Sequence, residues 1–160
     1  MATAYIETTI PSYYVARAST SLLHAAKQAS TRTWWDQGCS GLELFTSLET
    51  LDEASKGDGE MAANRSALLD GIPLLTLTDE ALSLAGTLVS KSIVPQKAAS
   101  DSLHIAIASA HGMDYLVTWN FKHIANPFLR DRVRAEVTGA GFELPVMCSP
   151  DELLQNDEDD

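Results

Sequence analysis

Short apolar runs alternate with longer helical patterns along the chain, and this alternation constrains the fold more than any other feature of the sequence. The run YLV at 115–117 lacks polar alternation, which is typical of a strand that is covered on both faces. This order of elements predicts an α/β fold, a three-layer α/β/α sandwich around a mainly parallel, five-stranded sheet. The predicted strands are 2–6, 42–47, 72–77, 114–119 and 144–148.

Helical periodicity fills the intervals between these strands. Thr78 is the expected N-cap of one helix, and Pro95 is expected near the first turn of the helix that precedes the fourth strand. A length of 160 residues predicts one domain, over 1–150, followed by an acidic tail over 151–160. The predicted helices are 12–18, 19–37, 48–56, 59–70, 78–91, 95–111, 126–141 and a short one from Ser149 or Pro150.

The net charge of −11 is unevenly distributed, because six of the 22 acids lie in the last ten residues. Residues 1–150 carry 16 acids against 11 bases, a net charge of −5. This balance argues against broad, non-specific coating of nucleic acid, although a local basic rim remains compatible with it. A solvated helix face is the preferred interpretation of the candidate basic residues. They are Lys122, Arg130, Arg132 and Arg134.

The sequence lacks the signatures of several classes of protein. No apolar run approaches the roughly 20 residues of a membrane span, and the start of the chain lacks the pattern of a signal peptide. Cys39 and Cys148 are interpreted as reduced thiols rather than a disulfide or metal framework. The sequence has no phosphate-binding glycine loop, no GxSxG elbow and no HExxH zinc motif. The three tryptophans are interpreted as core or interface residues.

Polar side chains follow the predicted strands where the carboxyl ends of a parallel sheet would meet. Glu7 follows the first strand, and Thr118 and Asn120 close the fourth. Asp101 opens an inward stripe with His104, since these residues are one helical turn apart. An acid in an early turn also complements the helix dipole, so Asp101 alone does not indicate a metal-binding or catalytic site.

The helix after the second strand contributes further acids. Glu49, Asp52 and Glu53 share one of its faces. Carboxylates gathered at one edge repel each other unless a cation or a raised pKa intervenes. Their oxygen atoms suit Mg²⁺ or Mn²⁺, which can activate water and polarise a phosphoryl oxygen. Each acid alone is more simply a cap or a surface charge.

Four blocks of the chain, in this order, resemble PIN-domain proteins, specifically the VapC-like toxins of prokaryotic toxin–antitoxin pairs. The most specific block combines an acid that opens a helix, a following strand and a T-x-[DN] step. The blocks are YIETTIPSYYVAR (5–17), LDEASKGD (51–58), KAASDSLHIAIASAHGMDYLVTWNFKHIANP (97–127) and ELPVMCSPDELL (143–154).

This resemblance implies a PIN-like fold and a cytoplasmic, Mg²⁺- or Mn²⁺-dependent RNA endonuclease of hydrolase class 3.1. It places the family's metal-binding and catalytic acids on Glu7, Glu53 and Asp101. Glu7 stands where aspartate is commoner, and Asn120 stands at the fourth acidic position, which removes one negative charge. Thr118 is assigned to substrate or ligand contact, or equally to satisfying the backbone at the strand end.

The resemblance also implies partners. These are an RNA substrate, a cognate antitoxin and a second copy of the chain, with an apolar surface around Tyr13, Tyr14, Leu22 and Leu23. One alternative is a PIN fold that binds RNA or protein with little or no cleavage, which Asn120 favours. A weaker alternative is an unrelated phosphatase-like α/β enzyme, since Glu7 is followed by two threonines rather than a second acid.

Overall fold

The computed structural model describes residues 1–154, in which five parallel strands form one sheet in the order β3-β2-β1-β4-β5. The predicted α/β class is confirmed, and the sheet is entirely rather than mainly parallel. In the central strand, Tyr5 lies opposite Phe45 on one side and Leu116 on the other. The strands are β1 (Ala2–Ile6), β2 (Leu42–Ser47), β3 (Leu74–Leu75), β4 (Tyr115–Val117) and β5 (Val146–Cys148).

The α-helices of the described residues lie close to the predicted intervals. They are α1 (Thr9–Val15), α2 (Leu22–Thr33), α3 (Leu48–Ala54), α4 (Gly59–Leu69), α5 (Asp79–Ser90), α6 (Ala99–Ala110) and α7 (Arg130–Gly139). Thr78 caps α5 as predicted, because its side chain accepts a hydrogen bond from the Ala81 N–H at 3.1 Å. Pro95 precedes a separate 3₁₀ turn, Gln96–Ala98, so the predicted single helix 95–111 is wrong at its start.

Other predicted boundaries are also wrong, including that of the helix predicted over 12–18, which spans Thr9–Val15. The strand predicted over 72–77 shrinks to two residues at the sheet edge, where it pairs only with β2. The helix predicted over 19–37 begins after the Ser21 cap and widens into a π-helical turn at Trp34–Gly38. The helix predicted over 126–141 begins at Arg130, because Asn126 forms a side-chain turn with the Phe128 N–H.

Two apolar clusters lie on opposite faces of the sheet, consistent with a three-layer fold. Alternation along β1 sends Tyr5 into one cluster and Ile6 into the other. The first cluster includes residues of α5, α6 and α7, and the second includes residues of α1, α3 and α4. Both faces of β1 and β4 are therefore buried, which explains their apolar sequences.

The chain order of the sheet places a switch point at the carboxyl ends of β1 and β4. The chain runs outward from β1 through β2 to β3 and then returns to the other side of β1 at β4. Crevices at such switch points are the usual ligand sites of open α/β sheets. Glu7 and Thr118 are the first residues beyond these two strands.

Three remaining predictions concern the two thiols, the membrane spans and the tail. Cys39 and Cys148 are both free thiols. Across residues 1–154, no helix has the length and apolar character needed to cross a membrane. The tail predicted over 151–160 begins with a 3₁₀ turn at Asp151–Leu153, and its part from 155 onward lies outside the described residues.

Candidate acidic site at the sheet switch point

Glu7 is a buried carboxylate at the centre of the switch point, with only 3% of its surface exposed. Its Oε1 atom accepts the Thr9 N–H at 2.9 Å and also the Thr9 hydroxyl. Thr118 is buried at the end of the neighbouring strand, and its hydroxyl acts to lower the pKa of the same carboxyl group. Burial raises the pKa of Glu7, although the nearby His104 and these hydrogen bonds oppose the rise. The ionised form therefore lacks full compensation from the surrounding chain.

Asp101 lies in the first turn of α6 and is half-buried. Burial raises its pKa, and the charge of Glu53 adds to that rise. A hydrogen bond from Asn120 and the charges of His104 and His123 oppose the rise without cancelling it. Asp101 is thus a second carboxylate whose negative charge is incompletely balanced.

Glu53 lies in the last turn of α3 and has the opposite electrostatic character. Its Oε1 atom accepts the Thr8 hydroxyl at 2.9 Å and lies 2.5 Å from His104 Nε2. Burial acts to raise the pKa of Glu53, but the bond to His104 and the histidine's charge outweigh it, so the net pKa is lowered. Of the three acids predicted on this helix face, Glu53 makes these contacts, whereas Asp52 is exposed and Glu49 is half-buried.

His104 lies between the three carboxylates and is fully buried. Its Nδ1 atom is 2.7 Å from the Tyr5 hydroxyl. Burial acts to lower the pKa of His104, but the bond to Glu53 and the charges of Glu7, Glu53 and Asp101 raise it overall. The surrounding acids therefore stabilise the protonated form of His104 more than water would.

Asn120 and Thr118 link the end of β4 to the acids. The Asn120 side-chain oxygen accepts the His123 N–H at 2.9 Å, which directs its amide group towards Asp101. The Asn120 N–H donates to the Thr118 hydroxyl oxygen at 2.9 Å. Asn120 therefore lowers the pKa of Asp101, an effect that its position in the sequence does not predict.

Tyr5 is a site residue that sequence reasoning missed, as are Thr8 and Thr9. It is two residues before Glu7, and strand alternation places both on the same face of β1. Its hydroxyl contacts Ser47 Oγ at 2.7 Å in addition to His104. The two-residue spacing between Tyr5 and Glu7 could have identified Tyr5 as a site residue. A tyrosine in an apolar strand, however, is ordinarily interpreted as part of the core.

An aromatic and basic patch lies beside Asn120. Lys27 Nζ lies 5.5 Å from the ring centre of Trp119 and 5.4 Å from that of Phe121. Trp119 is buried and donates its indole N–H to Thr31, so it is a core residue as predicted. Phe121 remains 43% exposed. A flat apolar face and a cation therefore lie next to the acidic site.

Within residues 1–154, no group of three or more Asp, Glu, His or Cys side chains is arranged so that it could hold a metal ion. Instead, Glu7 is hydrogen-bonded to Thr9, and Glu53 to Thr8 and His104, while Asn120 acts to lower the pKa of Asp101. Comparison of the chain with models of protein families, with curated proteins and with solved structures gave no match.

Proposed function

We propose that this protein is a divalent-metal-dependent ribonuclease with a PIN-like fold, related to VapC-like toxins. The observation that carries the proposal is the pair of incompletely balanced carboxylates, Glu7 and Asp101, at the switch point of a parallel sheet. Buried or half-buried acids with raised pKa values are more frequent at functional sites than elsewhere. A cation would supply the charge that the chain leaves uncompensated.

Two carboxylates are enough for a hard divalent cation, so the lack of a three-residue group within residues 1–154 is compatible with such a site. Glu7, Asp101 and Glu53 offer carboxylate oxygen atoms, the ligands that Mg²⁺ and Mn²⁺ prefer, whereas the Asn120 side-chain oxygen accepts the His123 N–H. Mg²⁺ usually takes only one or two carboxylates and completes its shell with water and substrate oxygens. Glu7 and Asp101 are the two acids with the least compensated charge, whereas Glu53 is engaged with His104 through one of its two oxygens.

The proposed reaction is in-line attack of water on an RNA phosphodiester. A bound cation supplies Lewis acidity and a more acidic water. Glu7 and Asp101 provide the negative charge that binds it, and one site carboxylate accepts the proton of the attacking water. Thr118 fixes the Glu7 carboxylate, while Asn120 fixes that of Asp101.

The patch beside Asn120 supports a nucleic-acid substrate. The exposed part of Phe121 offers a surface for base stacking, which tolerates any base. Lys27, already held over the Phe121 and Trp119 rings, places a positive charge nearby for a phosphate.

The test is cleavage of labelled single-stranded RNA by metal-stripped protein with Mg²⁺, with Mn²⁺ and with EDTA. We expect cleavage with either metal and none with EDTA. Cleavage that persists in EDTA would refute the metal mechanism. Folded protein that cuts no RNA with either metal would favour the second candidate.

That second candidate is a PIN-like module that binds RNA or protein without cleavage. It is favoured by Asn120, which places an amide where the resembling family has a fourth acid. His104 favours it too, because its Nε2 atom already occupies one oxygen of Glu53 at 2.5 Å. Retention of labelled RNA in EDTA, without cleavage in any metal, would support it.

Replacing Asn120 with aspartate tests the role of the fourth position. Asn120→Asp adds a carboxylate beside Asp101, so we expect tighter Mn²⁺ binding and lower stability of the metal-free protein, because the two like charges repel. Calorimetric titration with Mn²⁺ and thermal unfolding in EDTA measure the two effects. Unchanged affinity would show that position 120 does not contribute to the metal site.

We also propose a cytoplasmic homodimer that is neutralised by an antitoxin. Leu22 and Leu23 are 89% and 62% exposed, so the start of α2 presents apolar surface. Tyr14 contributes less to it than expected, because its hydroxyl donates to Asp36 at 2.8 Å. An antitoxin arginine could pair with the unbalanced acids and compete with the metal.

Dimerisation is measured by sedimentation at micromolar concentration. We expect a dimer for the wild type and a monomer for the double variant Leu22→Glu, Leu23→Glu, since charges on an apolar interface disfavour association. A wild-type monomer at the same concentration would contradict the proposal. A Leu82→Glu variant, which changes a similarly exposed leucine on α5, is the matched control.

A further inference from the structure

A chain of buried hydrogen bonds runs behind the acidic site and ends on Glu53. It begins at Ser47 Oγ, which lies 2.7 Å from the Tyr5 hydroxyl. The same hydroxyl lies 2.7 Å from His104 Nδ1, and His104 Nε2 lies 2.5 Å from Glu53 Oε1. Ser47, Tyr5 and His104 are all 0% exposed. The chain thus joins β2, β1 and α6 to the end of α3.

We propose that His104 is a positioning residue that holds Glu53 Oε1 so that the other carboxylate oxygen, Oε2, is presented to the divalent cation or to its water. The inference rests on the proposed function and extends it, because it gives Glu53 and His104 distinct roles in the same site. Glu53 contacts the cation or water, and His104 acts only through Glu53.

The hydrogen bonds of Glu53 support this division between its two oxygens. Those formed within residues 1–154 both end on Oε1, one from the Thr8 hydroxyl and one with His104. Glutamate has three rotatable side-chain bonds, and ordering such a side chain costs roughly 1.5–2 kcal/mol. Glu53 is also one residue from the end of α3, where the helix gives little lateral support. Two anchors on one oxygen fix the carboxylate and leave the second oxygen available.

Histidine suits this role because its two nitrogens lie at opposite ends of a rigid ring. Tyr5 fixes the ring through Nδ1, and an Nε2–H can donate to Glu53 in the neutral tautomer and in the imidazolium alike. Replacement of side chains that orient metal-binding groups typically weakens metal affinity by about 10- to 100-fold. A residue with this effect need not touch the metal.

The experiment is calorimetric titration of metal-stripped protein with Mn²⁺. We expect His104→Leu to weaken Mn²⁺ binding at least about tenfold, because leucine cannot donate to Glu53. His104→Gln is expected to recover most of that loss, since its side-chain amide N–H can donate from a similar distance. Tyr5→Phe, which removes only the hydroxyl, should give an intermediate loss. His111→Leu is the matched control, because His111 binds the Thr76 carbonyl at the far end of α6.

Thermal unfolding of each variant shows whether it is folded. If His104→Leu does not fold, Tyr5→Phe and Thr8→Val take its place, since each removes one hydroxyl from the array and both should weaken Mn²⁺ binding. If the wild type binds Mn²⁺ tightly and the folded variants bind it equally well, this inference is overturned. The ribonuclease proposal would not be affected by that result. Failure of the wild type to bind Mn²⁺ would overturn both. Equal losses in His104→Leu and His104→Gln would also overturn it, because donation to Glu53 would then not be the cause.

Discussion

Asp101→Asn is expected to reduce metal-dependent RNA cleavage by roughly a thousandfold or more while the fold remains intact. The substitution keeps the size of the side chain but removes a negative charge that the cation needs. Its effect on folding should be small, because burial already raises the pKa of Asp101 and its charge is not needed for stability. Cleavage of labelled RNA in Mg²⁺ and Mn²⁺ measures the loss, and circular dichroism checks the fold.

Two further variants are compared with Asp101→Asn. Thr118→Ala should cause a smaller loss, because Thr118 holds Glu7 rather than binding the cation itself. Asp131→Asn is the matched control, since Asp131 is also an acid in the first turn of a helix but is 98% exposed in its side chain. Full cleavage by Asp101→Asn, or a comparable loss in Asp131→Asn, would contradict the assignment.

Glu7→Gln is expected to have effects of opposite sign on cleavage and on stability. Cleavage should fall about a hundredfold or more, because the best-buried acid of the site loses its charge. The metal-free protein should become more stable at pH 8, with Tm rising by at least about 2 °C, the shift that roughly 1 kcal/mol produces in a chain of this size. The gain arises because a glutamine side chain carries no charge, and Glu7 occupies a position that is only 3% exposed.

The pH dependence of this gain follows from the direction of the pKa shift. A carboxyl group whose pKa is raised by folding binds its proton more tightly in the folded state. Its unfavourable contribution is therefore absent below the unfolded-state pKa and develops as the pH rises through the folded-state pKa. The Tm difference between Glu7→Gln and the wild type should be present at pH 8 and disappear near pH 4.

Added metal provides an independent check of the same variant. Mn²⁺ should raise the Tm of the wild type, since a ligand that binds only the folded state stabilises it, and should have little effect on Glu7→Gln. Glu43→Gln, at an exposed position of β2, is the control and should respond as the wild type does. A wild-type Tm lower than that of Glu7→Gln at pH 4 as well as at pH 8 would show that burial of charge is not the cause.

The sequence by itself determined the fold class and most of the elements. β2 was predicted with its observed bounds, because an apolar run between a glycine and a helical pattern is a local signal. The start of α6 was not predicted well, because the backbone of Ala98 is not helical and nothing in its residue type indicates this. β3 is short because it lies at the edge of the sheet and pairs only with β2, and a strand's place in the sheet is known only once the sheet is assembled.

The candidate site was likewise predicted only in part from the sequence. Its acids could be nominated from their positions after strands and at a helix start, since parallel strands bring those points to one edge. Their differing electrostatic states were decided only by the tertiary structure. Tyr5 of β1, Glu53 of α3 and His104 of α6 converge, although 99 positions separate Tyr5 from His104 and 51 separate Glu53 from His104. Burial and through-space charge depend on that convergence and not on local sequence, so only the folded chain makes Glu53 a paired carboxylate and leaves Glu7 and Asp101 unbalanced.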